Sequence, residues 1–144
     1  MVAHTQRLSL LNLPSLNLDA DIAMSMDRIV EASGLSRAEA VERINAEAKR
    51  HGVRVTTGSA RELGLATFEK WLNANNSEHM PSIRALNLFC HVFGSSEPLD
   101  ILARSHGKGW RVIESEEAKL LELAKTERQI KALNRRKRKI EAEL

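Results

Sequence analysis

Apolar residues in this chain recur at the period of a helix, and that spacing constrains the fold more than any other feature. Ile22, Met26, Ile29 and Val30 fall at i, i+4, i+7 and i+8, which is one helical face. Ala40, Val41, Ile44 and Ala48 line a second face. Ile83, Leu86, Phe89, Cys90 and Phe93 line a third, with Leu88 and Val92 beside them. A helix so apolar reads as buried on most sides. Composition agrees. Aromatic residues make up 3% of the chain and Tyr is absent, which disfavours a sheet whose pleated face they would fill. Ala, Leu, Glu, Lys and Arg dominate, and these are good helix formers. The expected fold class is all-α.

Local signals set the expected boundaries. Asp19 and Asp21 cap a first helix, and Gly34 ends it in the left-handed position. Ser36-Arg37-Ala38-Glu39 is a capping box that opens a second helix ending near His51-Gly52. Val53 to Thr56 is β-branched and reads as a short extended segment, followed by a breaker at Thr57-Gly58-Ser59. Ser59-Ala60-Arg61-Glu62 is a second capping box, leading into Leu63, Leu65, Phe68, Trp71 and Leu72. Asn73 to Ser77 form a polar turn. Pro81 fits the first turn of the next helix, which Gly94 ends. Pro98 opens a short helix with Leu99, Leu102 and Ala103 inward, closed by Gly107 or Gly109. Trp110 to Ile113 is a link, with Trp71 and Trp110 as the large anchors. Ser115 caps a last helix that runs towards Leu144. There Ile130, Leu133, Lys137, Ile140 and Leu144 follow 3,4,3,4 spacing, about two heptads of a coiled coil.

The formal net charge is +3 and the sequence pI about 9.3. The excess is concentrated in Arg135, Arg136, Lys137, Arg138 and Lys139, a block that serves either as a nucleic-acid arm or as a solvated helix face. Cys90 is the one cysteine, so no intrachain disulfide forms and a reducing, cytoplasmic setting is expected. No stretch approaches the ~20 apolar residues of a membrane span. The Leu-rich N-terminus is broken by Asn12, Pro14 and Asn17 and does not read as a signal peptide. The expected organisation is an N-terminal arm at 1–18 (a docking arm, a disordered lead-in or an upstream extension), a helical domain at 19–109, and a link with a charged helix at 110–144.

Three segments carry a family resemblance. Ser33-Gly34-Leu35-Ser36-Arg37-Ala38-Glu39-Ala40-Val41 looks like the entry to the first helix of a helix-turn-helix motif. Leu63-Gly64-Leu65-Ala66-Thr67-Phe68-Glu69-Lys70-Trp71 looks like its recognition helix. Met80-Pro81-Ser82-Ile83-Arg84-Ala85-Leu86 resembles the stretch that follows. Over about residues 20 to 108 the chain resembles the DNA-binding domains of lambda-type phage repressors and Cro proteins. The resemblance implies a compact five-helix helix-turn-helix domain, a phage-type transcription regulator and double-stranded DNA as partner. The chain departs from the pattern in spacing: about a dozen residues, Gly52 to Leu63, stand where such motifs have a turn of three or four.

A recognition helix needs an apolar face for its own domain and a polar face for the major groove. Leu63, Phe68, Trp71 and Leu72 supply the first. Thr67, Lys70 and Asn73, at i, i+3 and i+6, supply the second: Thr67 for a base edge or thymine methyl, Asn73 for adenine, Lys70 for guanine or phosphate. Asn75, Asn76 and Arg84 follow that helix, where the resembled family grips phosphate, and contacts of that kind position without specifying. Arg61, with Arg54, can reach the backbone from the inserted segment. Residues Arg135 to Lys139 raise affinity without sequence preference by releasing counterions. For each of these positions ordinary solvation is the competing reading.

The histidines, His4, His51, His79, His91 and His106, show no ligand spacing, so no metal is expected. Cys90 reads as a small buried hydrophobe. No glycine-rich phosphate loop, nucleophile elbow or Ser, His and Asp grouping is evident, and neither catalysis nor a cofactor is expected. Two functions remain. One is a regulator that dimerises through the last helix, since paired half-sites need a paired reader. The other is a protein–protein adaptor that uses the helical body as a scaffold. RNA binding by the basic tail ranks third, since paired aromatic stacking platforms are missing.

Overall fold

The computed structural model of the chain describes residues 17–56, 58–76, 78–105 and 109–144. The rest of the N-terminal arm, Thr57, Ser77, and the segment holding His106 and Gly107 lie outside the described residues. Among those described there are six helices and no strand. They are α1 (Asp19–Ser33), α2 (Arg37–His51), α3 (Leu65–Leu72), α4 (Ile83–Phe93), α5 (Glu97–Arg104) and α6 (Ser115–Glu143). The chain divides into two units, Met1–Val112 and Ile113–Leu144.

In the first unit the apolar faces meet as the spacing requires. α1 packs on α3, α4 and α5; α2 packs on α3 and α4; α4 packs on α5. Phe68 of α3 and Phe89 of α4 are 0% exposed. Their rings lie 6.4 Å apart, and Trp71 approaches Phe68 edge-on at 6.3 Å. Met26 of α1 and Ile44 of α2 complete the centre. Each such side chain contributes roughly 1.5–3 kcal/mol by leaving water.

Cap chemistry explains most helix ends. Ser36 Oγ accepts from Glu39 N–H at 3.1 Å, and Glu39 accepts in return from Ser36 N–H at 2.8 Å. Gly34 and Gly52 end α1 and α2 at φ 72° and 63°, a region that β-carbons disfavour. Several expectations are corrected. α1 is preceded by Leu18 without a side-chain cap, and Asp19 and Asp21 lie inside its first turn. Ser59 to Glu62 do not open a helix: α3 begins at Leu65 behind Gly64. Pro81 stands outside α4, which Ser82 caps by accepting from Ala85 N–H. Ile83 is 84% exposed and not part of the core. In α5 it is Pro98 and Ile101 that are buried, and Leu102 faces outward; α5 stops at Ser105, before the glycines. Trp71 is buried as an anchor, whereas Trp110 is half-exposed.

The described residues between α2 and α3, 52–56 and 58–64, form a tethered excursion of neither helix nor strand. Val55 and Leu63 are each 3% exposed and sit in the core. Asn45 of α2 grips the far end twice: its amide donates to Leu63 C=O at 2.9 Å and its carbonyl accepts from Leu63 N–H at 2.8 Å. Arg54 donates to Gly58 C=O, and Thr56 Oγ1 donates to Ala60 C=O. α3 is thus held in place without the short turn of the resembled motif.

Asp100 of α5 secures the segment that leaves the first unit. It is buried, accepts from Arg111 Nε at 3.0 Å and from Val112 N–H at 2.8 Å, and pairs in charge with Arg104 at 3.1 Å. Arg104 Nε itself makes no aligned hydrogen bond, so that contact is electrostatic. Burial alone pushes the Asp100 carboxyl up, but the Arg111 and Val112 hydrogen bonds and the charges of Arg104 and Arg111 outweigh it and hold it below its ordinary value. A carboxyl lowered in the folded state stabilises above its unfolded pKa, and that contribution is lost as pH falls through the folded one. Asp100→Asn is therefore expected to cost about 1–3 kcal/mol at neutral pH. In urea melts the gap from the parent should close as pH drops below 4, the ordinary carboxylate range.

In the second unit, α6 starts behind Glu114, not at a Ser115 cap. Glu114 and Glu117 form a reciprocal capping box. No residue of α6 is buried. Leu123, Ile130, Leu133 and Ile140 are all more than half exposed, and with Leu144 they lie on one stripe at heptad spacing.

Candidate nucleic-acid interface

α3 is divided cleanly between two environments. Phe68, Trp71 and Leu72 are buried, while Leu65, Ala66, Thr67, Glu69 and Lys70 are exposed. The exposed side is one continuous helical face, because those positions avoid the 3.6-residue spacing of the buried ones. Thr67 and Lys70 project from it a turn apart, and Asn73 follows at the helix end. Neither Thr67 nor Lys70 engages another described side chain. No side chain caps the first turn of α3.

Lys70 and Asn73 border a shallow open depression with Ala66, Glu69, Leu72 and Ala74. Its opposite wall is Met24 and Asp27 of α1 and Arg37 of α2. Arg37 pairs with Asp27 at 3.1 Å, which offsets the acid on the wall opposite Lys70. Arg37 was read from the sequence only as part of the Ser36 capping box. It is the first residue of α2, exposed at the rim of the depression. The packing of α2 on α3 brings it to Lys70, and spacing in the sequence carries no sign of that approach.

Comparison with protein-family models, with curated proteins and with solved structures finds no match for this chain. The site therefore has to be judged on its own residues.

The remaining expected positions are dispersed. The Asn73 carbonyl accepts from Asn75 N–H at 3.0 Å, and the Asn76 carbonyl accepts from Glu78 N–H at 3.3 Å. Both side chains therefore shape the turn after α3 and keep their amide donors. Asn75 is exposed. Arg84 is exposed one residue into α4, and Arg61 is exposed in the 52–64 excursion. Arg54 is engaged within that excursion. Arg135, Arg136, Lys137, Arg138 and Lys139 belong to α6 in the second unit, where Lys137 pairs with Glu141 at 3.7 Å.

Cys90 is buried, and that burial pushes its thiol up, so it packs as a hydrophobe and is neither a ready nucleophile nor a ready ligand. Two histidines fare differently. His51 and His91, forty residues apart in sequence, both approach Glu47 where α2 packs on α4.

Proposed function

We propose that this protein binds double-stranded DNA as a phage-type transcription regulator of the helix-turn-helix kind, with α3 in the major groove. The observation that carries the reading is the division of α3. A helix whose apolar side is locked into its own domain by Phe68, Trp71 and Leu72 presents Thr67, Lys70 and Asn73 outward together. A groove-reading helix needs that arrangement. Arg37, Asn75, Asn76 and Arg84 act as phosphate contacts around it, and Arg61 reaches the flanking backbone. The protein works as a cytoplasmic binding module and not as an enzyme.

The second part of the reading is a homodimer through α6. The stripe from Leu123 to Leu144 has no apolar partner within its own unit. Charge along α6 is uneven: in residues 115–129 the acids Glu116, Glu117, Glu122 and Glu127 nearly balance Lys119, Lys125 and Arg128, whereas in 130–143 Lys131 and the run 135–139 far outweigh Glu141 and Glu143. Two copies side by side in the same direction set like charges against like. Two antiparallel copies keep the two basic halves apart and set each against the nearly neutral half of the other, so the pairing is antiparallel.

The rival reading, an adaptor that offers α6 to another protein, draws on the same exposed stripe. Fluorescence anisotropy with duplex DNA across salt concentrations separates the two. The regulator binds, and log affinity falls linearly with log salt. Lys70→Ala and Thr67→Ala each weaken binding by about 1–3 kcal/mol if they touch bases. Binding unchanged in both variants, or no binding at low salt, sinks the DNA reading and leaves the adaptor.

A further inference from the structure

The packing of α2 on α4 assembles a cluster that is independent of the α3 surface. Glu47 and His51 are one helical turn apart on α2, at i and i+4, and so share a face. His91 comes from the last turn of α4. Glu47 Oε2 lies 3.1 Å from His51 Nε2 and 3.4 Å from His91 Nε2. The three donor atoms all lie within 4.8 Å of one another. The two imidazole rings stand at 89° with their centres 5.2 Å apart.

The two distances from Glu47 match the donor spacing of a ligand set around a small ion. Tetrahedral bonds of about 2.0–2.2 Å place neighbouring donors roughly 3.4 Å apart. The donor types, two imidazoles and a carboxylate, suit zinc and its neighbours rather than calcium or magnesium. Arg50 occupies the other carboxylate oxygen, Oε1, at 3.3 Å and leaves Oε2 to the histidines. The cluster also sits at two helix C-termini, since His51 ends α2 and His91 is in the last turn of α4. The negative ends of both helix dipoles favour a cation there. Both histidines are exposed, so an ion can enter from solvent.

We infer that Glu47, His51 and His91 form a binding site for a divalent transition-metal ion of the zinc class, with water completing its coordination, and that the bound ion braces α2 against α4. A ligand that binds the folded state alone stabilises it by mass action.

The test is titration of the full-length protein with Zn²⁺, followed by calorimetry and thermal melting. One site is expected, with a Tm that rises with Zn²⁺ and returns to its starting value with chelator. His51→Ala and His91→Ala should each weaken binding at least tenfold and abolish the Tm shift. His79→Ala, exposed and away from the cluster, should leave both intact. Co²⁺ should give the strong visible absorption of a four-coordinate site in the parent and lose it in His91→Ala. The proposal is overturned if the parent gives no heat and no Tm shift. It is equally overturned if the double variant lacking both His51 and His91 binds as the parent does, which would place the ion elsewhere and leave the cluster a hydrogen-bonded pairing of helices. Both histidines lie outside the proposed DNA surface, so DNA affinity is not the readout.

Discussion

Phe68→Ala is expected to destabilise the first unit by about 3–5 kcal/mol, the range for a fully buried Phe reduced to a methyl. Phe68 stands where α3 meets the core. Its ring touches the Trp71 and Phe89 rings and is 0% exposed. The void left behind cannot close easily, because α3 is held at its start by the two Asn45 hydrogen bonds to Leu63. Against a total stability of about 5–15 kcal/mol this is a large share. For a domain of this size the Tm should fall by roughly 15 °C or more. Leu65→Ala, on the exposed side of the same helix, should change stability by no more than about 0.5 kcal/mol. Calorimetry on the two variants checks the contrast. Equal losses would mean that α3 is not divided into a buried and a free face, and the reading face would go with it.

The joint substitution Ile130→Glu with Leu133→Glu is expected to convert a dimer into monomers. Both side chains lie on the exposed stripe of α6, and within the chain they support nothing. The first unit should therefore melt as before. Light scattering should give twice the 16.1 kDa chain mass for the parent and the single mass for the variant. DNA affinity should fall by about 10²–10⁴-fold, because the second half-site contact is no longer intramolecular. Direction is read separately. Nitroxide labels at Ser115→Cys, with Cys90→Ala to remove the native thiol, should sit about 45 Å apart in an antiparallel pair centred on Ile130, from the 1.5 Å rise per residue. A parallel pair would bring them to about the 10 Å spacing of packed helices plus their tethers. A monomeric parent would remove α6 from the account and return its stripe to the adaptor reading.

The all-helical character was legible because burial repeats at helical period in each element: Ile22, Met26 and Val30 on α1, then Ala40, Val41, Ile44 and Ala48 on α2. Local chemistry also located the Ser36 box and the stops at Gly34, Gly52 and Gly94. It erred wherever tertiary packing overrode a local signal. Ser59-Ala60-Arg61-Glu62 has the letters of a capping box. Val55 and Leu63 are nevertheless drawn into the core on either side of it, and residues 58–62 stay exposed and non-helical. Ile83 fits the apolar period of α4, yet it is the first residue of that helix and stays in water.

The same division runs through the site. Thr67, Lys70 and Asn73 could be named because one helix generates their spacing and its apolar residues fix which way it turns. Arg37 could not, because its place beside Lys70 depends on how α2 crosses α3. Glu47 and His51 carry a visible i,i+4 signal, but the third member, His91, comes from another helix, and no spacing rule joins it to them.

Amide chemical-shift mapping of the labelled full-length protein during titration with duplex DNA tests the central claim most directly. The largest shifts are expected on residues 65–73, with Arg37, Asn75, Asn76 and Arg84 at the margin. Shifts confined to α6, with α3 unmoved, would contradict it and make the basic helix, not the helical body, the element that meets DNA.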